Sequence, residues 1–313
     1  MDQYAMTEGA ILVGNDPGQA AIEMAGYGGR FHINNVAVIA ALSGAPMLAK
    51  LDGNPIPWRT SFKVNPGQTL EIGAALGGPS AGTYGYLHVA GGIAIDKEIG
   101  ARSTHLRAGI GGTDGKPLQA GACLPVGQYP TDSFIAQRLP EPEYLGQRRI
   151  RLMWGAHAHR FNQQTRQRLL SESFCISLRR DRMAMRLELD QTQLPFEALL
   201  TGLSDPVQDG DIQMTGDGIP AILVREHQPT GGYPRIATVI RADLTAVAQL
   251  PTAITFQFEL VNQKQAVDAL KQWRTSIDGL VNLVQPVVRS VDQIDNLLAY
   301  NLIGGVVSAE EEN

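Results

Sequence analysis

A chain of 313 residues, 43% of them hydrophobic, is long enough to bury a sizeable core and to form two domains. A formal net charge of -5 gives no basic field for nucleic acid or an anionic membrane surface, so neither is an expected partner. No apolar run reaches membrane-span length and no charged leader precedes one, so the expected location is the cytoplasm. Cys123 and Cys175 match no metal or redox spacing. Short β-branched runs punctuated by 34 glycines and 18 prolines favour β-rich barrels over a helical bundle.

Residues 1–15 predict a helix, with Asp2 as cap and Gly14 as stop. Residues 20–76 alternate strand and turn signals. Glu23 lies in AAIEMAGYGG, VAVIAALSGAPMLAKL reads as a hairpin turning at Ser43, Gly44, Ala45 and Pro46, and DGNPIP and NPGQ mark the next reversals of a β-meander. In residues 82–127, Arg102, Ser103 and Thr104 follow Gly100 on a predicted loop whose side chains and N–H groups suit an anion, with an ordinary polar turn as the equal alternative. GIGGTDGKP is not a Walker A loop, because its glycine spacing is wrong by one and Pro117 replaces the metal-holding Ser or Thr. The glycines at 91 and 92 lack dinucleotide spacing.

Residues 128–149 are Pro-rich and non-periodic, the pattern of an inter-domain connection. A strand at IRLMWG and a helix from Asn162 follow; His157 and His159 have no third ligand nearby and read as solvated loop histidines, so no metal site is assigned. In SLRRDRMAMRLELD, Arg182 and Arg186 fall on one strand face, facing an acidic substrate or partner, or solvent. Residues 224–240, VREHQPTGGYPRIATVI, place a Pro-Thr-Gly-Gly-Tyr-Pro corner between two strands. Gly231 and Gly232 permit positive φ and close approach of backbone to a ligand, and the corner gathers Glu226, His227, Gln228, Thr230, Tyr233 and Arg235; a plain turn is the alternative. Asp243 is the expected cap of a helix through Gln249, and ITFQFELV alternates as a strand. A helical pattern from Asn262 breaks at Pro286. Val287, Val291, Ile294, Leu298 and Leu302 then form an amphipathic tail, expected on its own domain or on a second copy in a homo-oligomer, before a solvated SAEEEN.

Three pieces in order, Gly210 to Gln213, Asp217 to Pro220 and Gln228 to Pro234, resemble the family of 5-oxoprolinase C subunits. This is also called the KipA or allophanate hydrolase subunit 2 family and is related to the carboxyltransferase domain of urea carboxylase; its pattern is Gly-x-x-Gln, Asp-Gly-x-Pro, then Gln-Thr-Thr-Gly-Gly-Tyr-Pro. A second block, Tyr86 to Ile93, Gly100 to Thr104 and Gly111 to Gly121, resembles the same family, as do residues 1–15. Four departures stand out: Ala122 replaces an acidic residue, Ala184 and Met185 replace Gly-Tyr, and Pro229 replaces the second Thr. The family's Thr-Val-Gln-Asp-x-Gly-Arg stretch has no counterpart before Met1, leaving an upstream start, a cut chain or a lost first strand as open readings.

The resemblance implies a mainly β (α+β) protein of two cyclophilin-like β-barrel domains with short peripheral helices, at 1–130 and 150–262, joined by 131–149 and followed by a helical tail, 263–313. It implies a subunit that opens 5-oxoproline to L-glutamate with subunits A and B, inactive without them, using ATP shared with the complex. A lactam is a poor electrophile, so the chemistry needs anion donors near a carbonyl and a group that orients water. On the motif-matching positions, backbone at Thr230, Gly231 and Gly232 is expected to cradle an oxyanion or phosphate, with Arg182 or Arg102 pairing it beside Ser103 and Thr104. Gln213, Gln228 and Tyr233 are expected to orient the amide, with Glu23 or Glu226 as base and Tyr233 among the catalytic groups. Two alternatives stand beside it. One is a biotin-dependent carboxyltransferase, whose biotin would ride on a separate carrier because the chain has no Met-Lys-Met signal. The other is a non-enzymatic KipA-like regulator that binds a kinase inhibitor.

Overall fold

Helix α1 (Gln3–Leu12) opens the chain as its sequence dictates: the Asp2 carboxylate accepts the Ala5 N–H at 2.9 Å, and Gly14, at φ +68°, ends it. The computed structural model describes residues 1–131, 133–189, 196, 202–252 and 254–287, and is mainly β with short helices at its edges.

The first half contains β1 (Ile22–Ala25), β2 (Arg30–His32), β3 (Val38–Gly44), β4 (Met47–Leu51), β5 (Asn54–Pro55), β6 (Ser61–Val64), β7 (Thr69–Ala75) and β8 (Tyr84–Val89). They form two four-stranded sheets, ordered β1-β8-β3-β6 and β2-β7-β4-β5. Met24, Val38, Leu42, Met47, Leu70, Ile72 and Leu87 form one of the buried clusters, drawing on both sheets. The predicted meander is therefore corrected at two reversals. β3 and β4 lie in different sheets, so the turn at Ser43 to Pro46 is a crossover and not a hairpin; NPGQ likewise carries the chain from β6 to β7 in the other sheet. Gly44 makes the crossover with φ +73°, and a Cβ there would lie 2.5 Å from the Tyr84 carbonyl oxygen. The DGN reversal is a hairpin, with Asp52 and Gly53 both at positive φ between β4 and β5.

The second half closes a seven-stranded barrel in the order β10-β17-β14-β15-β12-β11-β18. Its strands are β10 (Arg149–Trp154), β11 (Ser173–Arg180), β12 (Ala184–Leu189), β14 (Asp211–Met214), β15 (Pro220–Leu223), β17 (Arg235–Val239) and β18 (Phe256–Leu260), with β10 and β18 pairing in parallel. Closure removes free sheet edges and leaves one interior, filled by Phe174, Phe256, Phe258, Ile150, Leu152, Ile176, Met185 and Leu187. Truncating a fully buried phenylalanine such as Phe174 to alanine costs about 3–5 kcal/mol. Ala5, Tyr84 and Tyr86 of the first half belong to this same cluster, so the halves share a core.

Helix α2 (Gln163–Ser171) is capped by Asn162, whose Oδ1 accepts the Thr165 N–H at 2.7 Å. Helix α3 (Leu244–Gln249) forms as predicted, but the cap does not: the Asp243 carboxylate instead takes the Arg151 N–H at 2.7 Å and its guanidinium at 2.6 Å. The Pro-rich connection is a packed strap. Leu139 and Leu145 are buried, and β9 (Gln137–Arg138) pairs with β19 (Gln285–Pro286) beyond helix α4 (Gln263–Asp278). α4 carries the predicted helical pattern, and Val284 packs against Leu12 and Leu139 of its own chain. The expected amphipathic run from Val291 to Leu302 lies outside the described residues. No helix among the described residues is long and apolar enough to cross a membrane.

Candidate functional site

Between the halves lies a cleft of about 380 Å³, lined from the first half by Asp2, Ser103, Thr104 and His105 and from the second by Arg182, Arg225 and Glu226. That volume falls in the range of small-molecule sites.

Its centre is Arg182, at the tip of the β11–β12 hairpin. Asp181 Oδ1 accepts the N–H groups of Met183 at 2.7 Å and Ala184 at 2.9 Å, an Asx turn that projects the residue between them. The Arg182 carbonyl accepts the Glu226 N–H at 2.6 Å, extending the β12–β15 pairing, so the two residues are neighbours through the backbone. Arg182 Nε donates to Glu226 Oε1 at 2.5 Å, and its Nη1 bonds Glu23 Oε1 on β1. One guanidinium thus joins a carboxylate from each half. Burial pulls the Arg182 pKa down, but Glu23 and Glu226 outweigh it and hold it above its ordinary value.

The two glutamates differ. Glu23 is saturated: its second oxygen takes the Tyr86 hydroxyl at 2.8 Å and the Met1 amino group at 2.6 Å. Burial raises its pKa, but the Met1 amino group, Arg182 and Tyr86 prevail and hold the carboxyl below the usual range. Glu226 is buried, yet among the described residues its second oxygen has no hydrogen-bond donor, and His105 Nδ1 lies 3.8 Å from it. His105 Nδ1 already accepts the Ala108 N–H at 3.2 Å, so this contact is no hydrogen bond.

Behind the node runs a buried polar clasp. Tyr86 accepts the Asp2 N–H at 2.8 Å, and Asp2 Oδ2 accepts the Tyr144 hydroxyl at 2.6 Å and Gln249 Nε2 at 2.7 Å. Gln249 Oε1 takes the N–H groups of Thr83 and Tyr84, both at 2.9 Å, tying α3 to β8 across the halves. Burial raises the Asp2 pKa despite these donors.

Of the residues singled out in the sequence, Ser103, Thr104, Arg182 and Glu226 line the cleft, and Glu23 grips Arg182 beside them. Gly111 and Gly112 back the Ser103–Thr104 turn at φ +74° and +62°; a Cβ on Gly111 would lie 2.3 Å from the Ser103 oxygen. Arg102 is turned away, donating to the Ile95 and Gly18 carbonyls at 3.0 and 3.2 Å. Arg186 is not among the cleft-lining residues and pairs with Asp217.

Gln213, Gln228, Thr230, Gly231, Gly232 and Tyr233 are not among the cleft-lining residues. Strand β16 (Thr230–Gly231) pairs with β13 (Asp205–Pro206), and the Pro229 and Gly232 carbonyls accept the Val207 and Gly202 N–H groups. The expected positive φ is corrected here: neither glycine has one. They are small because the fold presses on them, a Cβ at Gly231 falling 2.7 Å from Gln213 Nε2 and one at Gly232 falling 3.1 Å from the Gly202 oxygen. His157 is likewise no solvated loop histidine. It bonds Asp205 at 3.1 Å through Nε2, while Nδ1 accepts the Arg235 N–H at 3.2 Å. Met185, in the position of the family's tyrosine, is fully buried in the barrel core.

Spacing gave no sign of His105, Arg225, Tyr86 or Gln249. His105 and Arg225 had a local cue, adjoining Thr104 and Glu226 directly, and Tyr86 opens the Tyr86 to Ile93 block.

A mainly β chain whose two halves enclose such a cleft defines a domain class: residues 1–260 match the carboxyltransferase domain, subdomain A and B, and the chain belongs to that family. Within it, the chain is 32% identical over 277 residues to the C subunit of 5-oxoprolinase from Escherichia coli (strain K12), covering 86% of this chain and 84% of that protein. Identity is also 32% to the C subunit of Haemophilus influenzae 5-oxoprolinase, over 91% of this chain and 89% of that one. The crystal structure of the K. lactis urea amidolyase superposes with a TM-score of 0.77 at 25% identity over 90% of this chain, which spans only 18% of that protein's length.

Proposed function

We propose that this chain is the C subunit of an ATP-dependent 5-oxoprolinase, opening 5-oxoproline to L-glutamate together with subunits A and B and inactive without them. One observation carries the reading: the 32% identity runs through 84% and 89% of two 5-oxoprolinase C subunits, against 18% of the urea amidolyase. The cleft supports it in size and chemistry, offering a fixed guanidinium, hydroxyls at Ser103 and Thr104, and a glutamate with a spare oxygen to a small polar ring.

The cleft fits a nucleotide poorly. Its two guanidiniums are already paired, Arg182 with Glu23 and Glu226 and Arg225 with Asp209, and the Gly111 N–H of the glycine loop is taken by Glu98 Oε2 at 2.8 Å. A triphosphate brings several negative charges and needs cations not already neutralised by carboxylates, so this supports placing ATP on the partner subunits. Catalysis by this chain is then positioning: Arg182 donates where charge grows on the lactam oxygen, and Glu226 is the carboxylate free to take a proton.

The test is ATP-dependent glutamate release from 5-oxoproline by subunits A and B with and without this chain. Glutamate only in the complete mixture supports the reading; equal release without the chain overturns it. The carboxyltransferase family supports a second reading, carboxyl transfer from biotin on a separate carrier, which would appear as turnover that depends on a biotinylated carrier protein.

A further inference from the structure

The hydrogen-bond valences of the Arg182–Glu226 pair do not close. Arginine and carboxylate normally engage through two parallel bonds, the Nε and Nη2 hydrogens on one edge of the guanidinium meeting both carboxylate oxygens. Here only Nε to Oε1 forms. Among the described residues Arg182 Nη2 has no hydrogen-bond acceptor and Glu226 Oε2 has no donor, the His105 Nδ1 at 3.8 Å being already committed. Neither atom is sealed off from solvent without a partner, and both residues line the cleft. Covalent geometry puts Nη2 beside Nε and Oε2 beside Oε1, so the two partners of the single bond carry one open donor and one open acceptor. Glu23 cannot play this part, because both its oxygens are filled.

We infer that the Arg182–Glu226 pair reads cis-amides: Nη2 donates to the ligand carbonyl and Glu226 Oε2 accepts the ligand N–H. A ring amide holds its C=O and N–H on the same side and matches this pair with two bonds; an ordinary trans amide presents them on opposite sides and can make only one. Lactams and cyclic ureas share the pattern. The inference rests on the cleft being the substrate site of the proposed 5-oxoprolinase, and it shifts recognition of the amide from Gln213, Gln228 and Tyr233 to this pair. Glu23, braced by Tyr86, fixes the guanidinium from the other half, so the reader is preorganised.

Calorimetric titration of the chain assembled with its partner subunits tests this with three ligands: 5-oxoproline, its N-methyl derivative and 2-imidazolidinone. N-methylation keeps the carbonyl and removes the donor, leaving Glu226 Oε2 buried against a methyl group. The N–H ligands are expected to bind, and N-methylation to weaken binding by about tenfold or more, the cost of an unmet charged acceptor. Glu226→Ala is expected to bind 5-oxoproline and its N-methyl derivative alike, whereas Gln228→Ala keeps the wild-type preference. Equal binding of the two lactams by the wild-type protein overturns the inference without recourse to any variant, as does a preference that persists in Glu226→Ala, or binding of neither N–H ligand. Binding of 2-imidazolidinone without 5-oxoproline supports cis-amide reading and instead removes the 5-oxoprolinase assignment.

Discussion

The cleft and the Gly-Gly corner are both crowded with polar side chains, but they are wired differently. At the corner the partners all come from the second half: Arg235 reaches the Pro206 carbonyl, Asp205 and Asp211, His157 bridges Asp205 and the Arg235 N–H, and Gln213 lies against Gly231. In the cleft, Arg182 joins Glu23 to Glu226 across the halves and keeps open valences. The corner's residues thus serve close packing within one half, whereas the cleft's chemistry comes from residues far apart in the chain. A strong local motif and a cleft with open valences need not coincide.

The comparison extends underneath. Helix α1, whose Gln3 and Met6 line the cleft, rests on buried ionisable groups. Glu8 is fully buried and its pKa is pushed up to about 7 by burial, which outweighs the Arg59 guanidinium 2.9 Å away. The N–H of Arg59 Nε points off that line, so the contact is an ion pair and not a hydrogen bond. Above the Glu8 pKa, at about pH 8 or higher, removing one partner strands the other's charge, so Arg59→Met is expected to lose about 3–5 kcal/mol in chemical denaturation there. A Glu8→Leu, Arg59→Met double variant should recover most of it; equal loss in both would deny the pair its role.

His88 is the next largest effect. Burial lowers its pKa to about 3 from 6.5, so it stays neutral in the fold while the unfolded chain takes up a proton. Its contribution is complete above pH 6.5 and fades as pH falls toward 3, about 3 kcal/mol being lost by pH 4. The slope of stability against pH between 6.5 and 4 should be shallower in His88→Leu by that amount; parallel slopes would contradict it.

The glycines separate the two regions directly. Gly111→Ala drives a Cβ into the Ser103 backbone at positive φ and should displace the Ser103–Thr104 wall, lowering activity of the assembled enzyme by about tenfold or more. Gly231→Ala meets only the end of the Gln213 side chain, at ordinary φ, and should cost about 1 kcal/mol of stability with turnover per folded molecule unchanged. Swapped outcomes would move the site to the corner.

Much of the fold was legible. Asp2 and Gly14 act as predicted and the second helix starts at its expected place after Asn162, because helix ends are decided by residues within a turn. The sheet switch at Gly44 was not legible, since a turn that changes sheets uses the same residues as one that closes a hairpin. Asp243 failed as a cap because Arg151, 92 positions away, outbids a local N–H for its carboxylate. In the cleft, Ser103, Thr104, Arg182 and Glu226 could be named one by one, yet no spacing links Glu23 to Arg182 across 159 positions. Tyr86 stood in a motif-matching block but its bond to Glu23 was not legible, and Gln249 was legible only as the end of a helix, because a buried glutamine or tyrosine is marked by the partners the fold brings to it.

The most direct measurement compares Arg182→Ala with Tyr233→Phe in ATP-dependent glutamate release by the complete three-subunit mixture. Arg182 holds both halves' carboxylates in the cleft, whereas Tyr233 is an exposed residue of the corner. Arg182→Ala is expected to fall by about a hundredfold or more and Tyr233→Phe to stay within about threefold of wild type. Full activity in Arg182→Ala alongside collapse in Tyr233→Phe would contradict the account and return the chemistry to the Gly-Gly corner.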